Sequence, residues 1–244
     1  MDSLFVGQNI IELSSVDSTN NYLIDLSQNT SLLEGTVVVA NEQTAGKGQR
    51  NNRWYSEAGK SLCMSVLLSP KLDVSQQFLF NKFIALSLCQ ALNNYSFTTK
   101  IKWPNDILID SKKVAGILVE NSIQGSKIEK SIVGIGVNIN NNISQLPSAT
   151  SMAECLNTIP IISELLELIC KKIEKNYFLL KQNPLMINKL YHQNLFQKGE
   201  VQKFSKNGES FDCIINSVND NGQLIVEANG RLEFYNMGEI KFMI

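Results

Sequence analysis

Apolar positions along this chain change their period from block to block, and each period predicts an element. Residues 10–14 (Ile-Ile-Glu-Leu-Ser) read as a strand entering a polar turn. Asp17-Ser18-Thr19-Asn20 then supplies N-cap side chains, and Tyr22, Leu23 and Leu26 give a helical stripe. The β-branched run 36–40 lies between Gly35 and Asn41 and predicts a buried strand. Residues 61–68 form a second apolar strand, stopped by Ser69-Pro70. Phe78, Leu79, Phe83, Leu86 and Leu88 recur at helical spacing within 75–94. Two further strands are expected over 114–120 and 128–137, and the polar tract 138–151 reads as a loop. A helix covers about 160–182 and is ended or restarted at Pro184.

After residue 196 the texture changes. Short alternating runs at 200–204, 210–216, 223–228 and 231–236 are separated by Asn207-Gly208, Asn221-Gly222 and Asn229-Gly230. Asn-Gly between alternating runs is a strong hairpin signal. Four or five closely spaced strands suggest a small β-barrel of SH3-like type. The expectation is an α+β chain: a mixed β-sheet with flanking helices over 1–195, then a C-terminal β domain over 196–244.

Composition narrows the chemistry. The chain has 244 residues, 43% of them hydrophobic, and a net charge of −1, which argues against general nucleic-acid affinity. Glu164, Glu167 and Lys171 interrupt the most apolar region, so no membrane span is expected. The N-terminal residues lack a signal-peptide pattern, and the expected location is cytoplasmic. Cys63, Cys89, Cys155, Cys170 and Cys213 are far apart and form no CxxC pair, so reduced buried thiols are expected. With His192 as the single histidine, neither a transition-metal centre nor a Ser-His-Asp triad is supported, and no protein metal site is expected.

The candidate chemistry sits in segments without helix or strand period. Residues 44–54 (Thr-Ala-Gly-Lys-Gly-Gln-Arg-Asn-Asn-Arg-Trp) combine two glycines, three cations and an indole. Such a loop suits a ligand that is anionic at one end and planar at the other. It is not a Walker A loop, because Gly46-Lys47 is followed by Gly48-Gln49. A solvated surface loop is the plain alternative, weakened by Trp54 and Tyr55.

A second segment, Lys102-Trp103-Pro104-Asn105-Asp106, puts a lysine at a strand end before a rigid turn. Lys102 is either an exposed strand lysine beside a core tryptophan or an ammonium bridging two anionic groups. Two unit charges about 4 Å apart repel by roughly 4 kcal/mol at an effective dielectric of about 20, which a shared cation offsets. Gly116, Gly134 and Gly136 weaken the strands that carry them. Either those strands bulge there, or a flat ligand lies against them.

Taken in order, Asp17-Ser18-Thr19-Asn20, the 43–54 loop, Lys102-Trp103-Pro104-Asn105-Asp106, Lys113-Val114-Ala115-Gly116-Ile117-Leu118 and Gly134-Ile135-Gly136-Val137-Asn138-Ile139-Asn140 resemble the biotin–protein ligase family (biotin–[acetyl-CoA-carboxylase] ligases) over nearly the whole chain. The resemblance implies a sheet like those of class II aminoacyl-tRNA synthetases and biotin synthetases. It implies two steps: biotin and ATP give biotinyl-5′-AMP with Mg²⁺ assisting, and a lysine of a biotin carboxyl carrier domain then takes the biotin.

By the same resemblance, Ser18, Thr19, Asn20, Gln43, Gly46, Lys47, Gly48, Gln49, Lys102 and Gly116 would contact biotin. Arg50, Trp54, Lys102, Asn105, Lys113 and Asn138 would contact ATP. Lys102, Arg50 and Lys47 would carry the catalysis, with Lys102 touching both carboxylate and phosphate and Trp54 stacking on adenine. Lys47 stands where many relatives have arginine, Gln49 replaces a cation of some members and Asn51 a glycine. Relatives that repress transcription carry a helix-turn-helix, for which no room precedes Asp17, so operator DNA is not an expected partner. A homodimer is compatible with the resemblance. Lipoate or octanoyl ligases on a related fold, or a non-catalytic biotin or nucleotide sensor, are the competing readings.

Overall fold

The frame is a seven-stranded sheet of β1 (Ile10–Leu13), β2 (Val37–Ala40), β3 (Ser61–Leu68), β4 (Lys100–Lys102), β5 (Asp106–Ile109), β6 (Lys112–Gln124) and β7 (Lys127–Asn138). The spatial order is β1-β2-β3-β7-β6-β5-β4. β1 and β2 pair in parallel and the remaining neighbours are antiparallel. This computed structural model describes residues 3–143 and 146–243; Ser144 and Gln145, inside the expected 138–151 loop, lie outside the described residues, as do Met1, Asp2 and Ile244.

β3 is buried at every position, which explains why its sequence is apolar almost throughout rather than alternating. One of its faces, with Leu62, Met64, Val66 and Leu68, joins the main core. The other carries Cys63, Ser65 and Leu67, and Leu67 packs with Leu23, Val38 and Ile132 in a small second cluster.

Helices divide between the two faces. α1 (Thr19–Asn29) covers the side of the second cluster, packing on β2, β3 and β7. α2 (Gln77–Leu92) is apolar on nearly every side because it lies between the sheet and two later helices. After the short α3 (Met152–Leu156) come those two, the amphipathic α4 (Ile162–Gln182) and α5 (Pro184–Gln193). Pro184 restarts a helix rather than ending one, and the Asn183 side chain caps it by accepting from Met186 N at 3.1 Å. No helix among the described residues is long and apolar enough to cross a membrane.

A second sheet is formed by β8 (Val201–Lys206), β9 (Glu209–Val218), β10 (Leu224–Ala228), β11 (Arg231–Tyr235) and β12 (Lys241–Phe242), in the order β11-β10-β9-β8-β12. All its pairs are antiparallel. Antiparallel β structure thus stands where the Asn-Gly spacing predicts hairpins, with Asn207-Gly208 and Asn229-Gly230 in left-handed backbone at the β8–β9 and β10–β11 turns. Its pairing is open rather than closed: β12 is two residues long, pairs with β8, and β11 is the other edge.

The main core runs without a break from the helices into this second sheet, through Phe204, Ile215, Val218 and Leu224. The chain entering it is also tied to the first sheet. Ile101 N donates to Asn194 O at 2.8 Å and Phe196 N to Ile101 O at 2.9 Å, so residues 194–196 flank β4 one residue from Lys102.

Candidate active site

Strand register puts a single row of positions across one face of the sheet. Ala40, Cys63, Gly136, Gly116, Asp106 and Lys102 are successive cross-strand partners on six strands. Two residues along, Val38, Ser65, Gly134 and Leu118 repeat the pattern. Side chains in register share a face, so the sheet offers a small-residue floor flanked by polar and charged groups.

One end of the floor is a neutral hydrogen-bond network. Gln43 Oε1 accepts from Thr19 N at 2.8 Å and from Thr19 Oγ1 at 3.1 Å. Ser65 Oγ lies 2.7 Å from Thr19 Oγ1 and 2.6 Å from Asn20 Oδ1, and Asn20 Nδ2 donates to Glu120 Oε2 at 2.6 Å. Ser18 holds the N-cap position of α1 but its side chain makes no capping bond, so its hydroxyl is left for the cleft. The Asp17 carboxylate takes Asn21 Nδ2 at 2.6 Å instead, and that bond is the leading reason its acidity is raised.

The glycine-rich loop folds back on itself. Trp54 N donates to Gly46 O at 2.9 Å and Gly48 N to Asn52 O at 2.7 Å, with Lys47 bridged to Arg53 between them. At its tip Arg50 is left-handed (φ 56°). The hairpin lays the Trp54 indole on the sheet. A side chain at Gly136 would overlap this ring, one at Gly134 would overlap Asn20, and a Cβ at Gly116 would meet the ring at 3.2 Å. The glycines thus leave room for a flat group, and here that group is the chain's own indole. Trp54 Nε1 is buried without a nitrogen or oxygen acceptor.

Cations gather at the other end. Lys113 Nζ pairs with Asp106 Oδ1 at 2.6 Å and sits 5.6 Å from the centroid of the Trp54 ring. Lys102 lies behind this pair, its Nζ 5.1 Å from the centroid of Phe242 in β12. Burial lowers the Lys102 pKa and Lys113 adds to the effect, while Asp106 opposes it. Arg50 reaches the second sheet too, its guanidinium resting where a side chain on Gly238 would stand.

Most of the expected site residues meet in one cleft. Ser18, Thr19, Asn20, Gln43, Lys47, Gly48, Gln49, Trp54, Asn105, Lys113 and Gly116 line about 470 Å³ of space. Gly46 shapes the hairpin from behind, packed against Trp54 and Gln43. Lys102, Arg50 and Asn138 do not line the cleft; Asn138 donates to Thr150 O at 3.1 Å and is buried. Asn105 Nδ2 is committed to Ile117 O at 2.7 Å. Lys47 Nζ turns to Asn21 Oδ1 at 2.5 Å, on the exposed side of α1.

Reading the sequence missed Ser65, Glu120 and the role of Asp106. Ser65 had a signal, a lone hydroxyl among apolar residues of a fully buried strand. Glu120 had none before the register of β6 was known.

Comparison with known proteins bears on this cleft. A sequence model of the biotin/lipoate A/B protein ligase family matches residues 12–138. A bifunctional ligase/repressor BirA of Bacillus subtilis (strain 168) is 34% identical over 155 residues, covering 61% of this chain and 47% of that protein. The chain thus spans about half the length of that curated relative. A biotin–[acetyl-CoA-carboxylase] ligase of Mycobacterium tuberculosis is 24% identical over 237 residues, covering 93% of this chain and 86% of the other. Among solved structures, the biotin protein ligase of Aquifex aeolicus in complex with biotin and ATP superposes with a TM-score of 0.80 at 26% identity, covering 96% of this chain and 98% of that one.

Proposed function

Because the chain belongs to the biotin/lipoate A/B protein ligase family, we propose that it is an ATP-dependent biotin–protein ligase acting on a lysine of a biotin carboxyl carrier domain. The observation that carries the reading is the single cleft with a neutral hydrogen-bonding end, a glycine floor and a cationic end. Biotin has the matching parts: a ureido ring needing several neutral partners, an apolar body and a carboxylate.

In this reading Ser18, Thr19, Asn20 and Gln43 bind the ureido ring, and Gly46, Gly48, Gln49 and Gly116 close around the body. Lys113 takes the bridging role between the biotin carboxylate and the α-phosphate, since its Nζ lines the cleft where that of Lys102 does not. One carboxylate oxygen attacks the α-phosphorus and the bond to pyrophosphate breaks; Lys113, held by Asp106, lowers the repulsion between the two anions. Lys102, Arg50 and Lys47 add positive charge around the phosphates. In the second step the carrier lysine amine attacks the biotinyl carbonyl and AMP leaves.

Ligand entry requires the Trp54 indole to leave the glycine floor. Its Nε1 gives up no nitrogen or oxygen acceptor in leaving, only the neighbouring Cys63 thiol. The freed ring then stacks on adenine, with Asn105 and Asn138 near the nucleotide. The adenylate is prone to hydrolysis, so a loop closing over it protects the intermediate. Mg²⁺ enters as MgATP. Phosphate oxygens and water would be its ligands. A reducing cytoplasm suits the five unpaired cysteines.

The test is incubation with labelled biotin, MgATP and an apo carrier domain. Label on the carrier lysine, with one pyrophosphate released per transfer, is expected. Label appearing only when lipoate replaces biotin would move the protein to the other branch of the family.

A further inference from the structure

β9 ends at Val218, which pairs in register with Leu224 of β10 but has no β8 partner on its other edge. β8 pairs with β9 only as far as Val201 opposite Ile214, and a bridge from Lys198 to Ile215 lies just beyond. Val218, past that limit, turns both main-chain groups toward the helices. Its N–H donates to His192 Nε2 at 3.0 Å, and its carbonyl accepts from Lys82 Nζ at 2.9 Å. His192 Nδ1 lies 2.8 Å from the Asn188 carbonyl, so Nδ1 carries the proton and Nε2 is the acceptor.

Lys82, fully buried on α2, is held as a cation by Asn188 Oδ1 at 2.7 Å, the Asp220 carboxylate at 3.9 Å and the rings of Phe78 and Tyr191. Four residues beyond Val218, the Gly222 carbonyl accepts from Trp103 Nε1 at 2.9 Å, and the Gly222 backbone lies so close to Phe78 that a side chain would overlap the ring. The β9–β10 turn is thus pinned at both ends, and its second pin is the residue next to Lys102.

We propose that His192 and Lys82 are positioning residues that hold the β9–β10 turn by its Val218 peptide, that this turn fixes Trp103 and the Lys102–Asp106 hairpin for adenylate formation, and that acidification releases it. Only the link to adenylate formation rests on the ligase reading.

Protonation changes what His192 can do. Nε2 becomes a donor, the Val218 N–H loses its acceptor, and two cations meet at one carbonyl, which lies 3.1 Å from Nε2. The charged groups facing the ring are Lys82 from α2 and Lys198 beyond α5, with Asp220 of the turn beside Lys82 and Lys189 along the same groove. Burial lowers the His192 pKa most, and Lys82 and Lys198 add to it against the two backbone carbonyls. A docked imidazole that binds protons less readily than a solvated one makes docking complete above about pH 6.5 and loses it as pH falls toward the lower docked value. Lys82, pulled down to about 8 by burial, stays largely charged across that window.

The chain has two tryptophans, so a Trp54→Phe background isolates Trp103. Its emission should shift to the red between pH 7.5 and pH 5.5, and the shift should vanish when His192→Gln is added. Lys82→Met should give the red-shifted emission already at pH 7.5, with unchanged far-ultraviolet dichroism. An equal acid shift with and without His192, or no shift in either, overturns the proposal. In the otherwise wild-type chain, His192→Gln should also raise the ratio of biotin-dependent pyrophosphate exchange at pH 5.5 to that at pH 7.5 several-fold. A wild-type protein with no exchange at all sinks the ligase reading, while the emission still decides the clamp.

Discussion

The two ends of the cleft are built on different principles. At the neutral end, Thr19, Asn20, Gln43, Ser65 and Glu120 hold one another through hydrogen bonds among the covering segments and the sheet itself. At the cationic end, the groups are like-charged and cannot hold one another. They are held by Asp106 and by the second sheet, through Phe242 against Lys102, Gly238 against Arg50 and Gly222 on Trp103. A network of donors and acceptors is self-supporting, whereas a cluster of cations needs an external frame. In the proposed ligase the C-terminal sheet would supply that frame.

Substitutions that break one end should leave the other intact. The largest effect is expected for Lys113→Ala, which removes the cation proposed to bridge the carboxylate and the α-phosphate. Biotin-dependent pyrophosphate exchange should fall about a hundred- to a thousandfold, the usual range for one lost electrostatic donor, while biotin still binds. Ser65→Ala comes next. It strips partners from Thr19 and Asn20, and leaving buried polar groups unpaired costs about 1–3 kcal/mol. Calorimetry should show weaker biotin binding of that order with ATP affinity preserved. Phe242→Leu should act in the opposite sense and more mildly. Losing a cation–π contact of about 0.5–1 kcal/mol predicts a two- to fivefold rise in KM for ATP and none for biotin.

How legible this was in the sequence follows the same division. The first sheet and most helices were readable because β-branched runs and helical stripes report burial locally; 36–40, 61–68 and 160–182 fall close to β2, β3 and α4. At the neutral end Thr19, Asn20 and Gln43 were readable because they lie in short motifs, whereas Ser65 and Glu120 sit inside strands and were not. Lys102 and Lys113 were harder to rank. Both precede glycine-bearing or turn segments, and the β4–β5–β6 register puts Lys102 in the same row as Asp106 and Gly116; only the side-chain positions show Lys113 lining the cleft while Lys102 Nζ lies against Phe242. The closing of the small domain was overread, since Asn-Gly turns specify hairpins but not whether the edge strands meet. The Val218 clamp left no local signal, because it depends on where β8 stops.

Desalting the protein after incubation with biotin and MgATP, then weighing the bound small molecule by mass spectrometry, probes the central claim most directly. The account predicts biotinyl-5′-AMP forming rapidly on the wild-type chain, more slowly on Lys102→Ala, and at least about a hundredfold more slowly on Lys113→Ala. Separate biotin and ATP on the wild type, or an adenylate that forms on Lys113→Ala as fast as on the wild type, would contradict it.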